Sequence, residues 1–240
     1  MVLTGKPRAM LFDLDGTLAD TVPSLHKAVL GALRYVGLPD ITQEMTRSFV
    51  GNGAMMLLAR AVSGSMEPDP AILESALLKK AREGFNIAYA SCLDCREQVF
   101  SGVPETLSYL KESGILLAVL SNKPHVFVRP VLEKAGLLGY FNFTLGGDLL
   151  EKKKPDPAPF YYVCSELGVV PGECVMVGDS SNDIIGARRS GMISIGLTYG
   201  YNRGRPVSES SPDYVFDDFA LIGELVRGFD QEFINEENCF

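Results

Sequence analysis

A chain of 240 residues that is 46% apolar is long enough for one large domain, or for a core with a smaller insert. A formal net charge of −8 and a pI near 4.9 argue against nucleic acid or an anionic membrane as partner. They do not argue against a small anion, because a bound metal and a few local cations can invert the sign inside one cleft. No stretch approaches the roughly 20 unbroken apolar residues of a membrane span, and no charged head precedes a long apolar run, so neither a membrane helix nor a signal peptide is expected. Five cysteines include one C-x-x-C pair, Cys92 and Cys95, with no second pair or histidine cluster to complete a zinc site. They read as free thiols in a reducing, cytoplasmic compartment.

The first predicted element is a strand over residues 9–12, an apolar run that stops at Asp13 and is followed by Asp15 and a Gly16-Thr17 turn. In open α/β sheets, chemistry sits beyond the carboxyl ends of such strands. Two carboxylates there repel unless they share a cation, and a hard divalent ion with oxygen ligands, most naturally Mg²⁺, answers that need. Asp13 is therefore a candidate nucleophile and metal ligand, and Asp15 a candidate proton donor and acceptor. A solvated acidic turn is the alternative that these residues alone leave open.

Residues 23–36 then read as a helix with Thr21 as its cap and Pro23 in its first turn. Residues 41–50 give a short helix capped by Thr42, Gly51-Asn52-Gly53 breaks it, and 54–62 resume helical spacing. Beyond a loop at 63–70, residues 71–93 read as one long helix with Leu73, Leu77, Leu78, Ala81, Phe85 and Ala88 inward. No strand is expected between 23 and 93. An all-helical cap domain over residues 20–95 therefore reads as an insert in a core made of 1–19 and 96–240.

From Phe100 onward, helices at 104–113, 126–135, 157–167 and 184–190 alternate with strands at 115–120, 141–145, 174–177, 192–197 and 214–216. This alternation implies an α/β fold with a parallel sheet covered on both faces. The acidic tail, 231–240, is expected to fray. In a parallel sheet the strand ends share one edge. That edge gathers Asp13 and Asp15, Ser121 and Asn122, and Asp179 with Asp183 close behind, while Lys154 stands before a Pro-x-Pro turn. Carboxylates for a divalent ion, a hydroxyl and an amide as donors, and one fixed cation suit a phosphoryl group. No glycine-rich dinucleotide fingerprint follows any strand.

D-L-D-G-T after a first strand, Ser121-Asn122 after a second, Lys154 before proline and G-D-S-S-N-D at 178–183 together resemble the haloacid dehalogenase (HAD) superfamily, in order and over essentially the whole chain. The resemblance implies a Rossmann-like core and a two-step phosphatase. Asp13 attacks phosphorus to form an aspartyl-phosphate; Asp15 protonates the leaving alkoxide and then deprotonates the attacking water. Ser121 holds a phosphoryl oxygen, Thr17 and Asn122 belong with the substrate-binding residues, and Lys154 neutralises charge and restrains Asp13. Mg²⁺ is implied on the Asp13 carboxylate, the Asp15 main-chain carbonyl and Asp179, with Asp183 direct or through water. Asp15 disfavours a dehalogenase or phosphonatase, and Pro23 and Leu25 stand where related sugar-phosphate mutases carry glutamate and histidine. His26, one residue on, reads as an exposed helix residue.

Three stretches, D-T-V-P-S-L at 20–25, F-V-G-N-G-A at 49–54 and G-L-T-Y-G-Y-N-R-G at 196–204, resemble the phosphoglycolate phosphatase branch of that superfamily. They imply a small phosphorylated metabolite as partner, 2-phosphoglycolate first, with another phospho-acid, a sugar phosphate or pyrophosphate as the alternatives. Gly51, Asn52 and Gly53 would offer backbone amides and a side-chain amide to a small carboxylate; a plain inter-helix turn is the other reading. Arg47 and Arg60 are candidates for the same carboxylate or for solvated roles. The stretch 92–100 leading back to the core departs from the pattern of the branch, which leaves the hinge open. A non-catalytic scaffold would be expected to lack Asp13, Asp15 or Lys154, and all are present. A monomer or small homo-oligomer is expected.

Overall fold

The computed structural model describes residues 2–92 and 97–237. The apolar run Ala9–Phe12 forms β1, buried along its whole length as a central parallel strand must be. Just past the turn, Ala19–Asp20 forms the two-residue strand β2. Helices α1 (Val22–Tyr35), α2 (Gln43–Phe49), α3 (Ala54–Ser63) and α4 (Ala76–Cys92) follow. Strand β3 (Gln98–Val99) then pairs antiparallel with β2, Ala19 opposite Val99. The chain thus leaves and re-enters the sheet layer through a short ribbon. The rest alternates as α5 (Val103–Glu112), β4 (Leu116–Leu120), α6 (His125–Lys134), β5 (Phe143–Leu145), α7 (Ala158–Leu167), β6 (Cys174–Gly178), α8 (Ser181–Ser190), β7 (Ile193–Leu197), β8 (Tyr214–Phe216) and α9 (Ala220–Glu237).

One six-stranded parallel sheet runs in the order β5-β4-β1-β6-β7-β8. Ala9 lies between Leu116 and Cys174, and Phe12 between Val119 and Val177. Successive strand side chains face opposite ways. Met10 and Phe12 therefore pack with Leu107 of α5, Val128 of α6 and Ile222 of α9, whereas Ala9 and Leu11 pack with Phe160 of α7 and Ala187 of α8. The central place of β1 puts Asp13 in the middle of the carboxyl edge.

Helices α1 to α4 enclose an apolar cluster that includes Val22, Leu33, Phe49, Leu58 and Phe85 and is joined from the sheet layer by Phe127 and Tyr201. The backbones of α1 and α4 approach closely because Gly31 and Gly84 lack side chains. A Cβ on Gly31 would lie 2.4 Å from that of Ala88, and one on Gly84 2.6 Å from that of Tyr35. We read this layer as the cap, with its first boundary in β2; the second, expected at 95–96, falls outside the described residues, as does Cys95. No helix among the described residues is long and apolar enough to cross a membrane.

The structure corrects several local expectations. The helix expected over 71–93 is a 3₁₀ segment, Pro70–Glu74, followed by α4. Ser75 breaks it with extended backbone (ψ 145°), and its hydroxyl accepts from the Leu78 amide. Leu78, Ala81 and Phe85 are buried as expected, whereas Leu77 is 41% exposed and Tyr89, not expected inward, is buried. The side chain of Thr21 does not cap α1. Helix α9 continues to Glu237, into the tail expected to fray.

Candidate active site

Strand β1 ends where Asp13 continues the ladder with its own N–H, donated to Val177 at 3.0 Å. Asp13 Oδ1 accepts from the Leu14 amide at 2.7 Å and lies 3.1 Å from Lys154 Nζ. Its other oxygen, Oδ2, takes no hydrogen bond among the described residues. Lys154 is almost completely buried. Its ammonium donates to the Leu120 carbonyl and to Asp183 Oδ1, both at 2.6 Å. Asp183 sits in the first turn of α8, where its Oδ2 accepts from the Ser180 amide at 3.0 Å and the Ser180 hydroxyl at 2.7 Å. Gly178 makes room for that fold-back, since a Cβ there would lie 2.3 Å from the Asp183 carboxyl carbon. Asp179, at the end of β6, accepts from Thr17 Oγ1 at 2.8 Å and from the Tyr201 amide at 2.7 Å.

Asp13, Asp179 and Asp183 bring one oxygen each within 4.8 Å of one another, and all are buried. Burial pushes the Asp13 carboxyl up to about 7; Lys154 pulls it back, and Asp183, Asp179 and Asp15 push it further. Burial and the nearby Asp183 likewise raise Asp179 to about 6. Burial lowers the affinity of Lys154 for its proton, but Asp13 and Asp183 outweigh it and hold the ammonium above its ordinary range. Crowded buried carboxylates with too little positive charge fit a hard divalent cation, whose ligands are oxygens.

If the cluster holds such an ion, Mg²⁺ at about 100 times its dissociation constant stabilises the fold by about 2.7 kcal/mol. For a chain of this size that is a rise in melting temperature of about 5–10 °C. The rise is expected to be larger at pH 8 than at pH 5, where protons occupy Asp13 and Asp179, and to vanish in Asp179→Asn. Thermal melts with and without Mg²⁺ check this, and an equal shift in the variant would contradict it.

Asp15 lies outside the three-carboxylate cluster. Its Oδ1 accepts from Thr21 Oγ1 at 2.6 Å and from Lys123 Nζ at 2.8 Å. Lys123 is the residue that the sequence reading missed. It follows Ser121-Asn122 directly and is 4% exposed, yet nothing in the spacing says that its ammonium turns back onto Asp15. A small cavity, partly open to solvent, is lined from the sheet side by Asp13, Asp15, Ser121, Asn122 and Lys123. Gly51, Gly53, Leu57, Phe85 and Tyr89 line it from the helical layer.

Ser121 and the two glycines thus share one cavity with Asp13. Thr17 and Asn122 are spent on protein contacts: Thr17 on Asp179, and the Asn122 amide on the carbonyls of Gly51 and Lys154, both at 3.0 Å. Asn52 is not among the lining residues; its Oδ1 accepts from Arg60 and its carbonyl from Lys153. Arg60 is buried within the helical layer and also binds the carbonyls of Phe49 and Met66. Arg47 pairs with Asp20 at 3.1 Å and stacks 4.8 Å over the Tyr201 ring. His26, expected exposed, is half-buried, and its Nδ1 lies 2.9 Å from Thr46 Oγ1; burial lowers its affinity for a proton.

A family model described as haloacid dehalogenase-like hydrolase matches residues 7–191, a span that holds Asp13, Asp15, Ser121, Lys154, Asp179 and Asp183. The chain belongs to the haloacid dehalogenase-like hydrolases. Among other members, it is 44% identical over 211 residues to the phosphoglycolate phosphatase of Haemophilus influenzae (strain 86-028NP), covering 88% of this chain and 94% of that one. It is 42% identical over 219 residues to that of Vibrio vulnificus (strain YJ016), covering 91% and 96%. A crystal structure of a predicted phosphoglycolate phosphatase from Haemophilus somnus 129pt superposes with a TM-score of 0.84 at 38% identity, over 93% of this chain and 99% of that one. The HAD-like α/β fold expected from the motifs is the fold found.

Proposed function

We propose that this hydrolase cleaves 2-phosphoglycolate to glycolate and phosphate through a phosphorylated Asp13. The coarser statement, that it is a phosphatase and so a phosphoric monoester hydrolase, follows from its family and its relatives. The observation that carries the mechanism is the division of labour between the two motif carboxylates. Asp13 has Oδ1 fixed by the Leu14 amide and Lys154, with Oδ2 left over as nucleophile, whereas Asp15 stands apart on Thr21 and Lys123.

In the first step Asp13 Oδ2 forms a bond to phosphorus as the bond to the glycolate oxygen breaks, and Asp15 supplies the proton to that oxygen. In the second step Asp15 takes a proton from water as its oxygen bonds to phosphorus and the Asp13–phosphorus bond breaks. Ser121 would hold a phosphoryl oxygen, and Lys154 would offset charge on the group in transfer. Asp13, Asp179 and the Asp15 main-chain carbonyl, with Asp183 beside them, would hold Mg²⁺, which supplies the positive charge that lets a carboxylate approach a phosphate dianion. Asp183 already gives one oxygen to Lys154 and the other to Ser180, which favours a ligand role through water.

The substrate rests on the named relatives and on the small cavity. Phosphate release from 2-phosphoglycolate, other phospho-acids, sugar phosphates and pyrophosphate, with and without excess EDTA, tests both parts. Metal-dependent release with the highest kcat/KM on 2-phosphoglycolate is expected. Preference for another compound would replace the substrate, and release indifferent to EDTA would remove the metal.

A further inference from the structure

The cavity holds polar groups that phosphoryl transfer does not use. Tyr89, on α4, is 1% exposed, and its hydroxyl lies beside Lys123 with no acceptor for its own proton among the described residues. Its ring is fixed between Phe85, stacked at 5.4 Å between centroids, and Phe127, edge-on at 4.7 Å. The Lys123 ammonium lies 5.0 Å from the centre of that ring. An ammonium has three donors; Asp15 accepts one from Lys123, and the Tyr89 hydroxyl oxygen lies beside it, which leaves at least one donor over. Glu97, whose charge also reaches Lys123, is committed to the Ser24 hydroxyl. A buried donor left without an acceptor destabilises the fold that holds it, so the Tyr89 proton and the spare Lys123 donor await one.

On the reading given under Proposed function, we propose that Tyr89 Oη and Lys123 Nζ form the subsite for the substrate's carboxylate, one donor from the cap helix and one from the sheet edge. The count of unmet groups decides the chemical class. Asn122 Oδ1 is the fully buried side-chain acceptor in the lining with no partner among the described residues, and Asp13 Oδ2 faces the phosphorus, so neither serves the donors of Lys123 and Tyr89. A carboxylate brings several lone pairs to meet them, a terminal hydroxyl fewer and an alkyl group none. The remaining lining from the helical layer, such as Leu57 and Phe85, is apolar, so a polar end group finds its partners only here and at the Gly51–Gly53 backbone. Burial pushes the Tyr89 hydroxyl up to about 12, which keeps it protonated as a donor. Cap and sheet edge meeting on one carboxylate makes Tyr89 and Lys123 specificity-determining residues.

The test compares 2-phosphoglycolate with ethyl phosphate, which has the same length but a methyl group in place of the carboxylate. Tyr89→Phe is expected to lower kcat/KM for 2-phosphoglycolate ten- to a hundredfold, mostly through KM, as loss of a buried hydrogen bond to a charge does. Ethyl phosphate should change less than twofold, and the melting temperature should match or exceed that of the wild type because a buried hydroxyl proton without an acceptor is gone. Lys123→Met, which also releases Asp15, should slow both substrates but 2-phosphoglycolate at least tenfold more. Equal losses on both substrates, or an unchanged preference in both variants, would overturn the subsite. A wild-type enzyme inactive on 2-phosphoglycolate but active on other monoesters would instead overturn the substrate itself.

Discussion

Asp13→Asn is expected to abolish turnover while leaving the fold at least as stable as the wild type. The amide is isosteric with the carboxyl but does not attack phosphorus, and removing a nucleophile from a concerted site costs at least about a thousandfold in kcat. The stability half of the expectation comes from the surroundings. Burial and three neighbouring carboxylates already disfavour charge on Asp13, raising it to about 7. Above that pH the wild type holds a charge that the fold disfavours, and asparagine holds none. Lys154 keeps Asp183 and the Leu120 carbonyl as partners. Phosphate release and thermal melts at pH 8 without added metal check both halves. Activity above a few per cent would remove Asp13 as nucleophile.

Lys154→Met should lose both activity and stability. The wild-type ammonium is the cation shared by Asp13 and Asp183, and its side chain is 1% exposed. Methionine fills a similar volume but strands both carboxylates in a dry site. Removing one partner from a buried ion pair costs about 3–5 kcal/mol, a fall in melting temperature on the order of 10 °C for a chain of this length. The sign of the pH dependence follows. With the cation gone, Asp13 binds its proton still more tightly, so the fold binds more protons than the unfolded chain over a wider range. The loss is therefore expected to be greatest near pH 8 and to fade towards pH 5, where the carboxyl is neutral. Urea midpoints at the two pH values check it; an equal loss at both would mean that packing, not charge, is what Lys154 supplies.

Most of the sheet and its edge was legible because each strand is a short apolar run that ends abruptly in a polar or glycine residue. Residues 9–12 before Asp13 and 174–178 before Asp179 are the clearest cases. The ribbon of β2 and β3 was not legible, since two residues per strand leave no alternation to read. Tyr89 was hidden for a different reason. The apolar pattern puts Leu78, Ala81 and Phe85 inside, as found, but it also takes in Leu77 and Ala88, and a tyrosine one place beyond Ala88 carries no signal that it joins the buried face.

At the site, carboxylates and Lys154 could be listed from their motifs, but their division of work could not. That Asn122 spends its amide on two carbonyls, that Thr17 serves Asp179, and that Lys123 reaches Asp15 are facts of three-dimensional packing between residues as far apart as 17 and 179. Asn52 shows the converse. A loop that looks suited to a carboxylate has its side chain claimed by Arg60, in the second turn of α3, the helix that follows it.

The phosphorylated Asp13 is the centre of the account, and Asp15→Asn with p-nitrophenyl phosphate isolates it. The p-nitrophenolate group leaves without a proton, so Asp13 can be phosphorylated, but the asparagine does not deprotonate the water that would release the phosphate. A burst of one p-nitrophenolate per active site is expected, with a protein heavier by one phosphoryl group, carried on the peptide that contains Asp13. No burst and an unchanged protein mass, in a variant whose wild type turns the same compound over, would contradict it.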